Sequence, residues 1–192
     1  MTLAHHRPKQ PDLLRQQVLA AAVRLAVEKG AEAVTLDAVA RRAGVSKGGL
    51  QHHFPGKRAL IDALFDRMWQ RFSAELAAEM AADPEPRGRA ARAYIQVGTR
   101  GLPDEEGDFW RAALTLMLAD PTLRERWSAW VRQAWQADLA AEADVTTLLV
   151  CRLAADGLWL SDLAGYDAVP PARRADVVQA LVAMTYAKET PR

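Results

Sequence analysis

Lys47, Gln51, His52 and His53 fall in one short stretch of this 192-residue chain, with hydroxyls at Thr35 and Ser46 ahead of it and Lys57 just behind. Such side chains offer hydrogen-bond donors to anionic oxygens and base edges, and Gly48 and Gly49 between them add no bulk that would keep a backbone from a partner. No nucleophile, base and orienting group stand together, so the chain is read as a non-enzyme. The four histidines form two adjacent pairs, His5-His6 and His52-His53, without further ligands at metal spacing. The single Cys151 permits neither an internal disulfide nor a cysteine-based metal site, and neither a metal nor a cofactor is implied.

The formal net charge of +1 conceals a division. Residues 1–60 carry 10 Lys+Arg against 4 Asp+Glu, a balance of +6, and residues 61–192 carry the remaining 15 against 20, a balance of −5. A basic head on an acidic body is the pattern expected when only the first third meets a polyanion such as nucleic acid. With 50% apolar and 26% charged positions, disorder is excluded and a soluble globular protein of one domain or two small ones is implied. The longest nearly apolar run, Ala112 to Ala119, is far short of the roughly 20 residues of a membrane span. The first ten residues also lack a signal-peptide core. Together with the sparing use of cysteine, this places the chain in the cytosol, with no membrane partner.

The elements that would position these residues are helical throughout. Residues 1–10 mix His, Arg, Lys and Pro without periodicity and read as a flexible basic arm. Pro11 and Asp12 open a first helix, and Leu14, Val18, Ala22, Leu25 and Ala26 recur at helical spacing up to Gly30. Thr35 caps a second, with Leu36, Val39 and Ala40 inward and Arg41 and Arg42 outward. Gly44 stops it, and Ser46 caps a third that carries Leu50 and Phe54 inward before Pro55-Gly56. Two short helices joined by a glycine-containing turn form a helix-turn-helix. Longer helices follow from Lys57 to about Ala82, Arg89 to Arg100, Phe109 to Ala119, Asp120-Pro121 to about Ala141, Ala143 to Ala164, and Pro170-Pro171 to about Lys188. The acidic stretch Asp104 to Asp108 reads as a loop, and no segment alternates like a strand. The fold class is therefore all-α with about nine helices: a three-helix head over 11–56 and a larger helical body over 57–190.

The run Thr35-Leu36-Asp37-Ala38-Val39-Ala40-Arg41-Arg42-Ala43-Gly44-Val45-Ser46-Lys47-Gly48-Gly49-Leu50-Gln51-His52-His53-Phe54-Pro55-Gly56-Lys57 closely resembles the DNA-binding signature of the TetR/AcrR family of bacterial regulators. The resemblance covers residues 12–65. It implies a dimer whose heads read a palindromic double-stranded operator while the bodies bind a small-molecule effector. Lys47 is then the first candidate for guanine O6 and N7, with Gln51 and His52 as further readers. Thr35 and Ser46 stand at helix N-termini that favour phosphate, Lys57 resembles the family's phosphate-contacting lysine, and Arg41, Arg42 and His53 add to the set. Gln51 departs from the family, which places a tyrosine there. It can donate to phosphate or pair with adenine.

All six tryptophans lie beyond the head. Trp127, Val131 and Trp135 share a helical face with Trp130 beside it, an apolar surface wider than packing on one neighbour needs. Trp69, Phe72, Trp110, Leu114, Met117, Trp127, Trp130 and Trp159 are candidates for an effector pocket, with Arg111, Arg152 and Asp156 as polar anchors. Plain core is the competing role for each apolar residue, and an ion pair four apart on one helix competes for Arg152 and Asp156. The helices at about 143–164 and 171–188 hold more apolar residues than one stripe; by the resemblance they pack on a twin. The chain is thus read as a ligand-released repressor. An activator or ligand-independent regulator is the alternative, and an enzyme using the tryptophan-rich region is the remote one.

Overall fold

The computed structural model describes residues 10–101, 104–141 and 145–186, with the side chains of Gln10, Pro11, Asp104, Glu105, Trp135 and 137–141 also outside the description. The arm at 1–9, with His5 and His6, therefore lies outside the described residues, as does the Trp135 side chain. Among those described the chain forms nine α-helices and no strand: α1 (Gln10–Lys29), α2 (Leu36–Ala43), α3 (Lys47–His53), α4 (Lys57–Ala82), α5 (Arg89–Thr99), α6 (Asp104–Ala119), α7 (Pro121–Ala141), α8 (Val145–Ala164) and α9 (Arg174–Met184). None is long and apolar enough to cross a membrane among the described residues.

Two compact units result. One runs through Met68 and includes Asp108–Asp120; the other takes Trp69–Gly107 and the chain from Pro121 onward. In the first, α1 buries Val18, Leu19, Ala22, Leu25 and Ala26, α2 buries Val39 and Ala40, and α3 buries Leu50. Phe54, Leu60 and Leu64 are also enclosed. Apolar residues at three- and four-residue spacing make these helices amphipathic, and their burial is what holds segments as short as α2 and α3 in helical form.

The second unit centres on Tyr94 and Ile95 of α5, Cys151, Ala155 and Leu158 of α8, and Leu181 of α9. Arg92 ties its ends together. With the guanidinium group almost fully buried, Nε donates to Asp83 Oδ2 at 2.6 Å, Nη2 to the Glu85 carbonyl at 2.7 Å and Nη1 to Thr185 Oγ1 at 3.3 Å. Its face lies 4.1 Å from the Tyr186 ring centroid, so the connection between α4 and α5 is fastened to the end of α9. Gly88 makes room for this closure at φ +65°, where a Cβ would stand 2.7 Å from the Thr185 carbonyl oxygen.

Three boundaries differ from the sequence expectation. The acidic stretch begins α6 at Asp104 and is not a loop, because acids in a first turn meet the positive end of the helix dipole. Pro171–Arg173 makes a 3-10 turn, so α9 starts only at Arg174. A second short 3-10 turn, Ala31–Ala33, precedes Thr35. Residues 142–144, at the expected start of α8, and 187–188, at the expected end of the last helix, lie outside the described residues.

The Arg92 hydrogen bond holds the Asp83 carboxyl below the usual carboxylate range. Its stabilisation is complete above the unfolded value of about 4 and disappears as pH falls through the lowered folded value. Asp83→Asn leaves a buried guanidinium without its countercharge and should cost about 3 kcal/mol in urea unfolding at pH 7. The difference from wild type should shrink below about pH 4.

Candidate nucleic-acid interface

The helix-turn-helix is held by local chemistry. Thr35 Oγ1 accepts the Ala38 amide at 3.2 Å, capping α2, and Ser46 Oγ accepts the Gly49 amide at 3.1 Å, capping α3. Both hydroxyls serve as acceptors in these caps, so their protons remain available to donate outward. Gly44 ends α2 at φ 69° and ψ 29°, left-handed values that favour glycine, and its amide returns to Ala40 and Arg41 carbonyls. Leu50 is fully buried and Phe54 nearly so, which fixes one face of α3 and turns Lys47, Gly48, Gln51 and His52 to the exterior.

The two glycines of α3 are not equivalent. A Cβ at Gly48 would meet nothing within 4 Å, whereas one at Gly49 would stand 3.1 Å from Ser46 Oγ. His53 is half-buried, with its ring edge-on to His52 at 5.5 Å between centroids. The Arg15 guanidinium lies 5.6 Å from the centre of the Phe54 ring.

Two basic residues of the expected set, Lys47 and Arg42, hold acidic partners. Lys47 Nζ is 2.9 Å from Asp37 Oδ1, both groups exposed. Arg42 engages Glu28 through two bonds, Nη1 to Oε2 at 2.9 Å and Nη2 to Oε1, and the hydrogen bond from Arg42 holds Glu28 below the usual carboxylate range. Lys57 Nζ approaches the Ala31 carbonyl at 3.5 Å, while Arg58 beside it pairs with Asp62 at 3.0 Å and Asp120 at 3.4 Å. Arg41 is exposed and has no acidic partner among the described residues. Asp37 escaped the sequence reading, since an acid in a first helical turn is explained by the dipole alone.

The expected pocket residues divide between the units. Trp110, Arg111, Leu114 and Met117 stand on α6 in the first, with Arg111 donating to Asp108 at 2.9 Å. Trp69, Phe72, Trp127, Trp130, Arg152, Asp156 and Trp159 belong to the second and make a linked aromatic group. Ring centroids are 3.5 Å apart for Trp69 and Trp130, 5.4 Å for Phe72 and Trp130, 6.3 Å for Trp127 and Trp130, and 6.2 Å for the stacked Trp127 and Trp159. Tyr94 joins them at 6.0 Å from Phe72, and its hydroxyl donates to Asp156 Oδ1 at 2.5 Å. Arg152 lies over the Tyr94 ring at 4.6 Å and donates to the Ala134 carbonyl at 3.2 Å. Burial raises the pKa of Asp156, against the Tyr94 hydrogen bond and the charge of Arg152, and burial likewise raises that of Tyr94. Tyr94 was missed from the sequence, although a tyrosine amid Ala91, Ala93, Ile95 and Val97 signals a hydroxyl in need of an acceptor.

An all-helical chain with a capped helix-turn-helix ahead of a separate helical unit has the architecture of a transcriptional regulator. Residues 18–64 match the family model of bacterial regulatory proteins of the tetR family, and residues 88–186 match that of the tetracyclin repressor-like C-terminal domain. The chain belongs to the TetR family of transcriptional regulators. It is 34% identical over 62 residues to the regulator SrpR and 40% identical over 50 residues to the regulator TtgW, both of Pseudomonas putida. These stretches make up 32% and 26% of this chain but only 29% and 37% of the relatives' own lengths. Among solved structures, the regulator SCO7518 of Streptomyces coelicolor A3(2) superposes with a TM-score of 0.65 at 24% identity, covering 91% of this chain and 99% of that one. The multidrug-binding protein EbrR, complexed with malachite green, also gives 0.65, at 26% identity over 88% of this chain and 96% of its own.

Ser46→Ala removes the cap of α3 and should lower the unfolding free energy by about 1 kcal/mol in a urea titration, while Gly44 and Leu50 keep the helix in place.

Proposed function

We propose that the chain is a repressor acting as a homodimer, in which two copies of α3 read a palindromic double-stranded operator and a small, largely apolar ligand lowers operator affinity. The observation that carries this reading is the outward set Lys47, Gln51 and His52 on a helix fixed from behind by Leu50. In the major groove, a helix so held can offer Lys47 to guanine O6 and N7 and Gln51 to adenine, Gln51 otherwise serving as a phosphate donor. Thr35, Ser46, Arg41, Arg42, His53 and Lys57 are assigned to the phosphates, with Gly48 and Gly49 allowing close approach. The acidic partners of Lys47 and Arg42 are exposed, and exposed ion pairs are weak enough for phosphate to replace them.

The domain division read from the sequence is proposed with it: 11–56 read DNA and 57–190 bind effector and dimerise, while of the basic segment 1–10 only Gln10 is described, and it begins α1. Dimerisation is supported by the outer face of α8, where Val150, Leu153 and Leu160 are 49%, 69% and 41% exposed at three- and seven-residue spacing with exposed Gly157 between. A two-fold partner seated along α8 and α9 would cover it and set the reading heads about one DNA turn apart, or a multiple of it. Ligand binding in the second unit is supported by its aromatic group and by the likeness to EbrR, a multidrug-binding protein. Such a ligand releases DNA only if it favours the conformation of lower operator affinity. A regulator that functions in the cytoplasm, without catalysis, is the whole of this reading.

Binding to the chain's own promoter region, followed by fluorescence anisotropy at low salt, should be sequence-specific and weaken steeply as salt rises. Lys47→Ala should cost about 1–3 kcal/mol and relax base preference at one position, whereas Lys57→Ala should weaken all sequences alike and reduce the salt slope by about 1. Absence of any sequence preference in the wild type would defeat the proposal. Leu153→Glu places a charge on the proposed dimer face, and light scattering should then record a monomer with little operator affinity.

A further inference from the structure

We propose that Arg15 of α1 is a further DNA contact, holding a backbone phosphate at the C-terminal end of α3. The inference rests on the DNA-reading role proposed above for α3 and adds to it a residue from outside the helix-turn-helix. Phe54, one turn beyond the buried Leu50, is 2% exposed and closes the inner side of α3 at its end. The Arg15 guanidinium stands over that ring at 5.6 Å, and the residue is exposed to solvent. Covering the ring requires only an apolar stem, and at a distance near the limit of about 6 Å the ring holds the charge weakly. The charge is therefore open to a stronger partner.

A recognition helix that offers its N-terminal side chains to base edges leaves the major groove at its other end, where the backbone runs. That end of α3 carries the negative pole of the helix dipole, which repels a phosphate unless a cation stands beside it. Arg15 supplies that cation from α1. Lys47, Arg42 and Arg58 are engaged by Asp37, Glu28 and Asp62, whereas Arg15 has no acidic partner among the described residues. A phosphate meeting it displaces no ion pair, and the N–H donors of the guanidinium suit the forked contact that phosphate favours. Asp12, exposed three residues earlier on α1, is the opposing charge, and no ion pair joins it to Arg15 among the described residues. Ahead of Asp12 the sequence holds Arg7 and Lys9 and no acid, so the charge at the start of α1 favours an anion. Arg24, nine residues further on, occupies the opposite face of α1, one turn before Glu28.

Binding of the full chain to its own promoter region, followed by fluorescence anisotropy between about 50 and 300 mM salt, tests the assignment. Arg15→Met keeps a stem over Phe54 and removes the charge. It should reduce the salt slope by about 1 per protomer and weaken binding about fivefold to tenfold per protomer near 0.1 M salt, with base preference and thermal unfolding unchanged. Arg15→Lys should retain the slope, and Arg24→Met, which removes the same charge from the other face, should leave it as in the wild type. Should Arg15→Met fail to fold, Arg15→Gln, with a polar stem suited to an exposed helical position, gives the measurement. A slope unchanged by loss of the Arg15 charge overturns the proposal while the reading by α3 stands. An equal fall from Arg24→Met overturns it as a general effect of net charge. Absence of sequence-specific binding by the wild type defeats the reading by α3 and this contact with it.

Discussion

A helix of seven residues cannot hold itself together in water, because nucleation fixes several residues for each hydrogen bond gained. This constraint falls on α3, whose outward side chains Lys47, Gln51 and His52 contribute nothing to the apolar core. Its stability is borrowed from the Ser46 cap, the left-handed turn at Gly44 and the burial of Leu50. Each support lies on the inner or leading side of the helix. The buried positions of α1, Phe54 and the first turns of α4 complete the core of this unit, so the outward side chains of α3 can vary without the fold depending on them.

The charge division in the sequence survives in the structure. Lys47 faces Asp37 and Arg42 faces Glu28, acids already counted in the balance of +6, so the basic excess of the head is undiminished. Both pairs are exposed, where solvent and salt weaken them. The second unit treats charge in the opposite manner, taking Arg92 and Arg152 out of water and surrounding each with specific partners.

The head was legible in sequence because its constraints are local. Thr35, Gly44, Ser46 and Leu50 act through neighbours within a few positions, and residue type at fixed spacing expresses that directly. The lengths of α4, α5 and α7 were also readable, punctuated by Pro84, Pro86, Gly88, Gly101 and Pro121. What remained hidden is carried by contacts between distant positions. Tyr94 and Asp156 are 62 residues apart, and Arg92 and Thr185 are 93 apart. No period in the sequence encodes either pair. The start of α6 was misread for a different reason: a run of acids resembles a solvated loop until its fit to a helix N-terminus is considered.

The two adjacent glycines of α3 divide the future of this regulator's vocabulary. At Gly49 the cap oxygen of Ser46 occupies the approach, so divergence there would first have to disturb the helix it begins. At Gly48 a Cβ would meet nothing within 4 Å, so a small side chain could arise there without altering the scaffold of the unit. If α3 reads DNA as proposed, a single change at Gly48 would alter its outward chemistry and leave the Ser46 cap in place.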